Sequence, residues 1–324
     1  MTQRQRLRHR FALRTVICLS AWLFCAAAGQ GQTNEPAFQV ERTLNLRYWT
    51  PGSGVRPAAS CCDLFLPKRK VAEDGQTQPD RDPRSRRWPI VIVVHGGAWA
   101  TGDKWTMYRH ANKLAERGIA SVSINYRHAP SHPFPKQVDD IRSALVWIHE
   151  HADQYEFDLD RVGLFGYSAG GHLVSLVATL QDEPWEKVET TTRWTQDDTR
   201  WSKLPPIRAV CAGGSPSDFQ KLPPDNTSLA YFLGGSRRER PENYRAASTI
   251  NFVSPDDPPF QLIHGDSDGI VPFANAESLL ELFVETGVKA KLDAFPNKGH
   301  MLTFISPELT SLMLQFFEDH LQRD

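Results

Sequence analysis

The residues whose types and spacing most clearly suggest chemistry are Gly166-Tyr167-Ser168-Ala169-Gly170, which fit the pattern G-x-S-x-G. In this pattern a serine occupies a sharp turn between a strand and a helix, where its hydroxyl is exposed as a nucleophile. A short apolar run over 161–165 precedes the serine, and a run long enough for a buried helix, 172–180, follows it. The context therefore favours a nucleophile, although a Gly- and Ser-rich turn without chemistry also matches so short a pattern.

A serine hydroxyl is a poor nucleophile at neutral pH, so it needs a base to take its proton and an acid to orient that base. Open α/β sheets bind ligands at the carboxyl ends of their strands. The predicted strand 260–263 is followed by Asp268, and the predicted strand 289–295 is followed by His300. The chain order Ser168, Asp268, His300 is the order found in α/β-hydrolases.

The elements that must position these residues alternate between strand and helix, which indicates a mostly parallel sheet with helices on both faces. Residues 88–94 are almost continuously β-branched, as expected for a strand buried on both faces. Alternating apolar residues before them predict an antiparallel edge hairpin. The predicted strands are 38–48, 62–67, 88–94, 119–127, 161–165, 207–214, 260–263 and 289–295. The predicted helices are 107–118, 138–151, 172–180, 275–285 and 307–322.

Two polar stretches, 181–206 and 216–259, interrupt this alternation. We predict one α/β-hydrolase domain over 38–324, in which both stretches are cap-like insertions over the site that set specificity. Trp185, Trp194 and Trp201 lie in the first stretch. These tryptophans could stack on sugar rings or aryl acids, or they could pack a small core of their own.

The first 29 residues have the pattern of a secretory signal peptide. Five arginines and no acidic residue lie in this segment. An apolar run covers 16–28, and small residues stand at its end, at 26–29. We predict cleavage near residue 29, a disordered linker over 30–37, and a secreted or periplasmic protein without stable membrane insertion. An uncleaved anchor is the alternative.

Composition excludes several classes of function. The 324 residues are 40% hydrophobic and 23% charged, as in a globular chain, and without the first 29 residues the net charge is −6. This acidic balance argues against a nucleic-acid partner. Cys61, Cys62 and Cys211 do not form a disulfide framework. No cluster has metal-ligand spacing and no G-x-G-x-x-G follows a strand, so we expect neither a metal nor a cofactor.

Several further motifs give the chain a specific resemblance. They are His95-Gly96-Gly97-Ala98-Trp99 with Gly102-Asp103-Lys104, Asn125-Tyr126-Arg127, 166–172, 264–272 and Gly299-His300. The chain resembles the esterase/lipase superfamily of α/β-hydrolases. It is most similar to the branch of bacterial acetyl-xylan and feruloyl esterases (BD-FAE type), and it also resembles hormone-sensitive-lipase-type esterases.

This resemblance implies roles for particular residues. Ser168 would be the nucleophile, His300 the base and Asp268 the orienting acid. The backbone N–H groups of Gly97, Ala98 and Ala169 would form the oxyanion hole. The family pattern favours Asp268 over the competing Asp266, because two residues separate the His-Gly pair from the acid.

The chain departs from the family's H-G-G-G form at Ala98-Trp99, so the shape of the substrate pocket there cannot be inferred from the family.

We interpret His95, His264, Tyr126-Arg127 and Asp139-Asp140 as structural polar groups. The predicted activity is hydrolysis of carboxylic esters through an acyl-enzyme, on small-molecule esters or on acetyl or feruloyl esters of plant polysaccharide. The alternatives are an amide, formamide or peptide hydrolase with the same groups, and a non-catalytic binding protein of the same fold.

Overall fold

A computed structural model describes residues 37–69, 87–221 and 226–322. The signal peptide and the linker predicted above fall on residues outside these ranges, apart from residue 37. Within the described ranges, no helix combines the length and the apolar character needed to cross a bilayer.

Eight strands form a single sheet in the order β1-β2-β4-β3-β5-β6-β7-β8. The strands are β1 (Gln39–Arg47), β2 (Cys61–Lys68), β3 (Trp88–Val94), β4 (Ala120–Ile124), β5 (Phe157–Tyr167), β6 (Ile207–Gly213), β7 (Phe260–Gly265) and β8 (Ala290–Phe295). β2 pairs antiparallel with β1 and β4, and every other pairing is parallel. The prediction of a mostly parallel sheet with an antiparallel edge is confirmed.

The α-helices are α1 (Tyr108–Glu116), α2 (Lys136–Glu150), α3 (Ala152–Tyr155), α4 (Ala169–Thr179), α5 (Trp185–Val188), α6 (Thr227–Leu233), α7 (Pro241–Ala246), α8 (Ala274–Thr286), α9 (His300–Phe304) and α10 (Pro307–Leu321). Short 3-10 helices are Pro57–Ser60, Lys104–Met107, Glu189–Thr191, Thr199–Lys203 and Thr249–Asn251. The two insertions, which the sequence pattern described only as irregular, thus contain α5 to α7 and three 3-10 helices. α9 was also not predicted, because its five residues are too few for a visible apolar periodicity.

Helices cover both faces of the sheet, because side chains of a strand alternate between its two sides. Ile90, Ile92 and Val94 of β3 pack into one apolar cluster, with residues of α2, α4 and α8. Val91 and Val93 pack into a second cluster, with residues of α1 and α10. The predicted two-sided layer of helices is confirmed, and it explains why β3 is fully buried.

The register of the parallel strands brings distant parts of the chain to one edge of the sheet. The last residue of β3, Val94, pairs with Gly166 near the end of β5. Gly213 ends β6 and pairs with Ile263 of β7, and Gly265 pairs with Phe295 at the end of β8. The loops that follow these strands therefore leave the sheet on the same side, as the sequence analysis requires.

Candidate active site

Ser168 lies in a tight turn between β5 and α4. Its backbone has a positive φ of 57° with ψ −123°, and its N–H donates to the Gly213 carbonyl at 2.7 Å. A Cβ on Gly170 would lie 2.1 Å from the Val94 carbonyl oxygen, and a Cβ on Gly166 would lie 2.3 Å from the Gly170 oxygen. Only glycine fits at both positions, so these two residues allow β3, β5 and α4 to approach closely enough to hold the serine in a costly conformation.

His300 and Asp268 are joined by a hydrogen bond of 2.6 Å between Nδ1 and Oδ2. Both residues are buried, with 7% of each exposed. The other carboxylate oxygen of Asp268 accepts the N–H groups of Ile270 and Val271, each at 2.8 Å. His264 Nε2 lies 3.4 Å from Asp268 Oδ2 and donates to the Val271 carbonyl at 2.9 Å. The loop that carries Asp268 is therefore held by hydrogen bonds to its own backbone and by His264 of β7.

The surroundings of Asp268 keep its carboxylate ionised. Burial raises the pKa of Asp268, but hydrogen bonds from two histidine side chains and two backbone N–H groups outweigh burial and hold the pKa well below its usual range. The ionised carboxylate of Asp268 accepts a hydrogen bond from the Nδ1–H group of His300. Nε2 of the same ring is therefore available as an acceptor.

The Ser168 backbone and the His300 ring both lie next to the end of β6. A Cβ on Gly214 would lie 2.9 Å from Cε1 of His300, and the preceding Gly213 carbonyl accepts the Ser168 N–H. Within the described part of the chain, no hydrogen bond joins the Ser168 hydroxyl to His300. Hydrogen bonds between catalytic groups are often long in unliganded sites and tighten when substrate binds.

Three backbone N–H groups near Ser168 are free to bind a ligand. The N–H groups of Gly97, Ala98 and Ala169 donate to no acceptor among residues 37–69, 87–221 and 226–322. Gly97, Ala98 and Trp99 have φ values of 118°, 50° and 58°, so three consecutive residues adopt the left-handed region. We name residues 97–99 the oxyanion turn, after the role that the family resemblance implies for Gly97 and Ala98. Ala169 opens α4, and a helix N-terminus favours developing negative charge.

A cavity of about 150 Å³ opens beside Ser168. The insertion 216–259 supplies part of its wall through Pro216, Asn226, Ser228 and Leu229. The other lining residues are Ala98, Trp99, Ala169, Ile270, Val271 and Pro272. The predicted serine and two of the predicted oxyanion-hole residues thus border one cavity.

The other insertion, 181–206, follows the carboxyl end of α4, whereas Ser168 precedes its amino end. α4 has 11 residues and is therefore about 16 Å long. No described residue of 181–206 lines the cavity at Ser168. Trp185 and Trp201 instead border a separate cavity of about 650 Å³ together with Arg142, whose guanidinium lies 5.1 Å from the Trp201 ring.

Residues interpreted as structural in the sequence analysis have structural partners. The Arg127 guanidinium pairs with Asp140 at 2.6 Å, and Asp139 accepts the Thr192 hydroxyl at 2.6 Å. Asp266, the competing candidate for the acid, accepts the N–H of Asn297 at 2.7 Å. His95 is buried and stacks on Tyr126, and burial lowers the pKa of His95 to about 4, so its ring is neutral.

Tyr167 is a site residue that the sequence analysis missed. Its hydroxyl donates to the His300 carbonyl at 2.6 Å, and its ring centroid lies 5.1 Å from that of His300. The two residues are 133 positions apart, and the variable second position of G-x-S-x-G carries no signal for such a contact. Tyr167 therefore fixes the start of α9, on which His300 sits.

The sheet order, the serine turn and the His300–Asp268 pair define an α/β-hydrolase. A family model agrees with this class: the BD-FAE model matches residues 80–283, well over half of the chain. The chain therefore belongs to the BD-FAE family. His300 lies beyond the matched range, so its position in the site rests on the structure.

Curated relatives and solved structures are similar to the chain. The probable carboxylic ester hydrolase LipM of Mycobacterium tuberculosis is 32% identical over 60% of this chain, and the esterase LipQ of the same organism is 29% identical over 86%. The chain spans 44% of the length of LipM and 65% of that of LipQ.

Among solved structures, esterase B of Lactobacillus rhamnosis with a bound inhibitor has a TM-score of 0.67 and 25% identity, and the match covers 86% of this chain and 87% of that one. A truncated carbohydrate esterase from gut microbiota has a TM-score of 0.71 and 24% identity, and the match covers 89% of this chain and 99% of that one. At this identity, the likeness to the carbohydrate esterase is evidence for the fold alone.

Proposed function

We propose that this protein is a serine carboxylic-ester hydrolase that works through an acyl-enzyme on Ser168. The observation that carries the proposal is the buried His300–Asp268 pair beside a serine in a strained strand-to-helix turn, with three free N–H groups around it. The names of the relatives, which are esterases and carboxylic ester hydrolases, support ester rather than amide chemistry.

In the proposed reaction, His300 Nε2 takes the Ser168 proton while the serine oxygen attacks the ester carbonyl. The N–H groups of Gly97, Ala98 and Ala169 stabilise the oxyanion, at about 3–4 kcal/mol for a single donor in comparable sites. His300 then protonates the leaving alcohol. Water activated by His300 next attacks the acyl-enzyme, and the acid is released as Ser168 regains its proton.

The cavity beside Ser168 favours a short acyl group. Its volume of about 150 Å³ lies below the range of about 300–1,000 Å³ that is typical of pockets for drug-sized ligands. We therefore propose acetyl esters as the preferred substrates and feruloyl esters as poorer ones. Acetylated plant polysaccharide and small acetyl esters both fit this proposal, and the insertion 216–259 acts as the cap.

We also propose that the protein is exported, on the basis of the N-terminal pattern of arginines, apolar residues and small residues. Export would bring the enzyme to polysaccharide outside the cell. N-terminal sequencing of protein recovered from the periplasm or medium of an expressing bacterium tests this, and a mature chain that still begins at Met1 would contradict it.

The central experiment compares the wild type with Ser168→Ala on 4-nitrophenyl esters from acetate to octanoate and on methyl ferulate. We expect the wild type to hydrolyse acetate best, and Ser168→Ala to lose at least about 10⁴-fold in kcat, because no other hydroxyl replaces the nucleophile. Ser175→Ala is the matched control, because Ser175 lies on α4, the helix that follows Ser168, and this variant should keep wild-type turnover. Equal turnover by Ser168→Ala and wild type would reject the mechanism.

The alternative functions need separate assays. A panel of peptide amides and N-formyl compounds measures amide chemistry, and a fluorophosphonate probe measures whether Ser168 is reactive at all. Faster turnover of an amide than of every ester would favour the amide hydrolase. A wild-type protein that neither turns over esters nor reacts with the probe would be a binding protein with this fold.

A further inference from the structure

Trp99 lies where the chain departs from the family's H-G-G-G pattern, and its large side chain is buried, with 5% exposed. The indole N–H donates to Nδ1 of His172 at 3.1 Å. His172 Nε2 lies 2.7 Å from the carbonyl oxygen of Ala247. Since Nδ1 accepts a hydrogen bond from the indole N–H, the proton of the neutral imidazole must be on Nε2, which donates a hydrogen bond to the Ala247 carbonyl.

This chain of two hydrogen bonds connects three separate parts of the molecule. Trp99 belongs to the oxyanion turn, His172 lies one helical turn after Ser168 on α4, and Ala247 belongs to the insertion 216–259. His172 is fully buried, and burial lowers its pKa to about 4, so the neutral form required by both hydrogen bonds is present at neutral pH.

Aromatic packing from the insertion reinforces the same connection. The ring of Phe232 on α6 stacks on Trp99 with a centroid distance of 4.4 Å and an angle of 11°. Phe219 contacts Trp99 edge-on at 5.5 Å and His172 at 4.7 Å. The insertion therefore holds the Trp99 side chain through two rings and holds His172 through a carbonyl.

The oxyanion turn needs such support from outside. Ala98 and Trp99 both have positive φ, a conformation that costs about 1 kcal/mol or more for a residue with a Cβ and that persists only when the surroundings impose it. The backbone hydrogen bonds of the turn join it neither to α4 nor to the insertion. The Gly97 carbonyl accepts the N–H groups of residues 100 and 101, and the Trp99 carbonyl accepts the N–H of Ala129. The Trp99 side chain, in contrast, contacts α4 through His172 and the insertion through Phe219 and Phe232.

We propose that Trp99 and His172 are positioning residues that couple the oxyanion turn to the insertion 216–259, so that the hole has its reactive geometry only while the insertion is docked. This inference rests on the proposed function of the same site. It adds that the insertion controls the turnover step through the Trp99–His172 pair, in addition to shaping the substrate cavity.

The main test uses Trp99→Phe, which keeps a ring for Phe232 but removes the N–H, and His172→Phe, which removes both hydrogen bonds. We expect each to lower kcat on 4-nitrophenyl acetate by about 10- to 100-fold with KM within about threefold of wild type, because misplacement of the oxyanion turn by about 1 Å is enough for such a loss.

The double variant should lose no more kcat than the worse single variant, since the two residues act as one unit. Trp105→Phe is the matched control, since Trp105 is 64% exposed, and it should keep wild-type kcat.

The role of the insertion is tested by Phe232→Leu, because Phe232 contacts Trp99 but does not line the cavity. We expect a lower kcat, whereas Tyr231→Leu, one residue earlier and 53% exposed, should leave kcat unchanged. Thermal unfolding identifies any variant that fails to fold; if His172→Phe does, His172→Leu, which also removes both hydrogen bonds, replaces it with the same expected loss.

The outcomes separate this inference from the proposed function. An active wild type with Trp99→Phe and His172→Phe within twofold of its kcat would overturn the inference and leave the esterase proposal intact. Losses that multiply in the double variant, or that fall on KM alone, would also overturn it. A wild type without esterase activity would instead reject the proposed function.

Discussion

At the scale of single residues, the environment of Asp268 separates it from Asp266, two positions earlier. Asp268 is buried and bonded to His300, whereas Asp266 is exposed and accepts the N–H of Asn297. Both carboxylates follow the same strand, so their roles depend on which way each side chain points. The family pattern favours Asp268, and the contact with His300 gives that preference a physical basis.

We expect Asp268→Asn to lower kcat by about 10³- to 10⁴-fold, because an amide that donates toward His300 holds the imidazole in the wrong tautomer. Its Oδ1 can still accept the N–H groups of Ile270 and Val271, so the fold should survive. The measurement is steady-state hydrolysis of 4-nitrophenyl acetate together with thermal unfolding. Asp266→Asn is the control, and a larger loss there than in Asp268→Asn would assign the acid role to Asp266.

At the scale of elements, a buried ion pair anchors the segment that follows the oxyanion turn. Asp63 on β2 is fully buried and lies 2.8 Å from the ammonium of Lys104. Asp63 also accepts the Tyr108 hydroxyl and the N–H of Asn45. Asn125 accepts the N–H of Lys104 at 2.7 Å. The G-D-K and N-Y-R motifs are therefore parts of one structural assembly.

We expect Lys104→Met to destabilise the protein by about 3–5 kcal/mol, because it leaves the Asp63 carboxylate buried without its cation. The double variant Lys104→Met with Asp63→Asn should recover part of that loss. Urea unfolding measures both. Asp153→Asn, which breaks an exposed pair with Arg87, is the control and should cost no more than about 1 kcal/mol; an equally small cost for Lys104→Met would show that the buried pair does not anchor this segment.

At the scale of the whole molecule, the two insertions differ in their relation to the cavity at Ser168. The insertion 216–259 lines that cavity, whereas no described residue of 181–206 does. The insertion 181–206 borders a second cavity, to which Asp256, Pro258 and Pro259 at the end of 216–259 also contribute, with several carboxylates nearby. Asp257 is buried in that region, and burial, followed by the charges of Glu183, Asp182 and Asp256, raises its pKa to about 7.

This raised pKa makes stability depend on pH. The folded state holds the Asp257 proton more tightly than an unfolded chain with a pKa near 3.8, so Asp257 stabilises the fold at low pH, and this contribution is lost as the pH rises through about 7. We expect Asp257→Asn to stabilise the protein on the order of 2 kcal/mol at pH 8 and by much less at pH 5. Urea unfolding at the two pH values measures this, with the exposed Asp256→Asn as control. An equal effect of Asp257→Asn at both values would contradict it.

Local patterns in the amino-acid sequence predict most of the strands and longer helices and the identity of the candidate groups. Period-two and continuous apolar runs reveal strands, and a serine between a buried strand and a buried helix is typical of a nucleophile turn. Local patterns and chain order are therefore enough to select Ser168 and His300 as candidates, and the family pattern adds the choice of Asp268 over Asp266. The shorter elements were missed: α6 and α9 have seven and five residues, too few for a period of 3.6 to be visible.

Which side chains meet depends on the packing of the folded chain. The hydrogen bonds from Tyr167 to His300 and from Trp99 to His172 join residues 133 and 73 positions apart, and no local pattern encodes the packing that brings them together. The packing also separates the two insertions, which looked alike in composition: described residues of 216–259 line the cavity at Ser168, and none of 181–206 does. Local periodicity reflects the burial of one element, whereas these contacts depend on how all the elements pack at once.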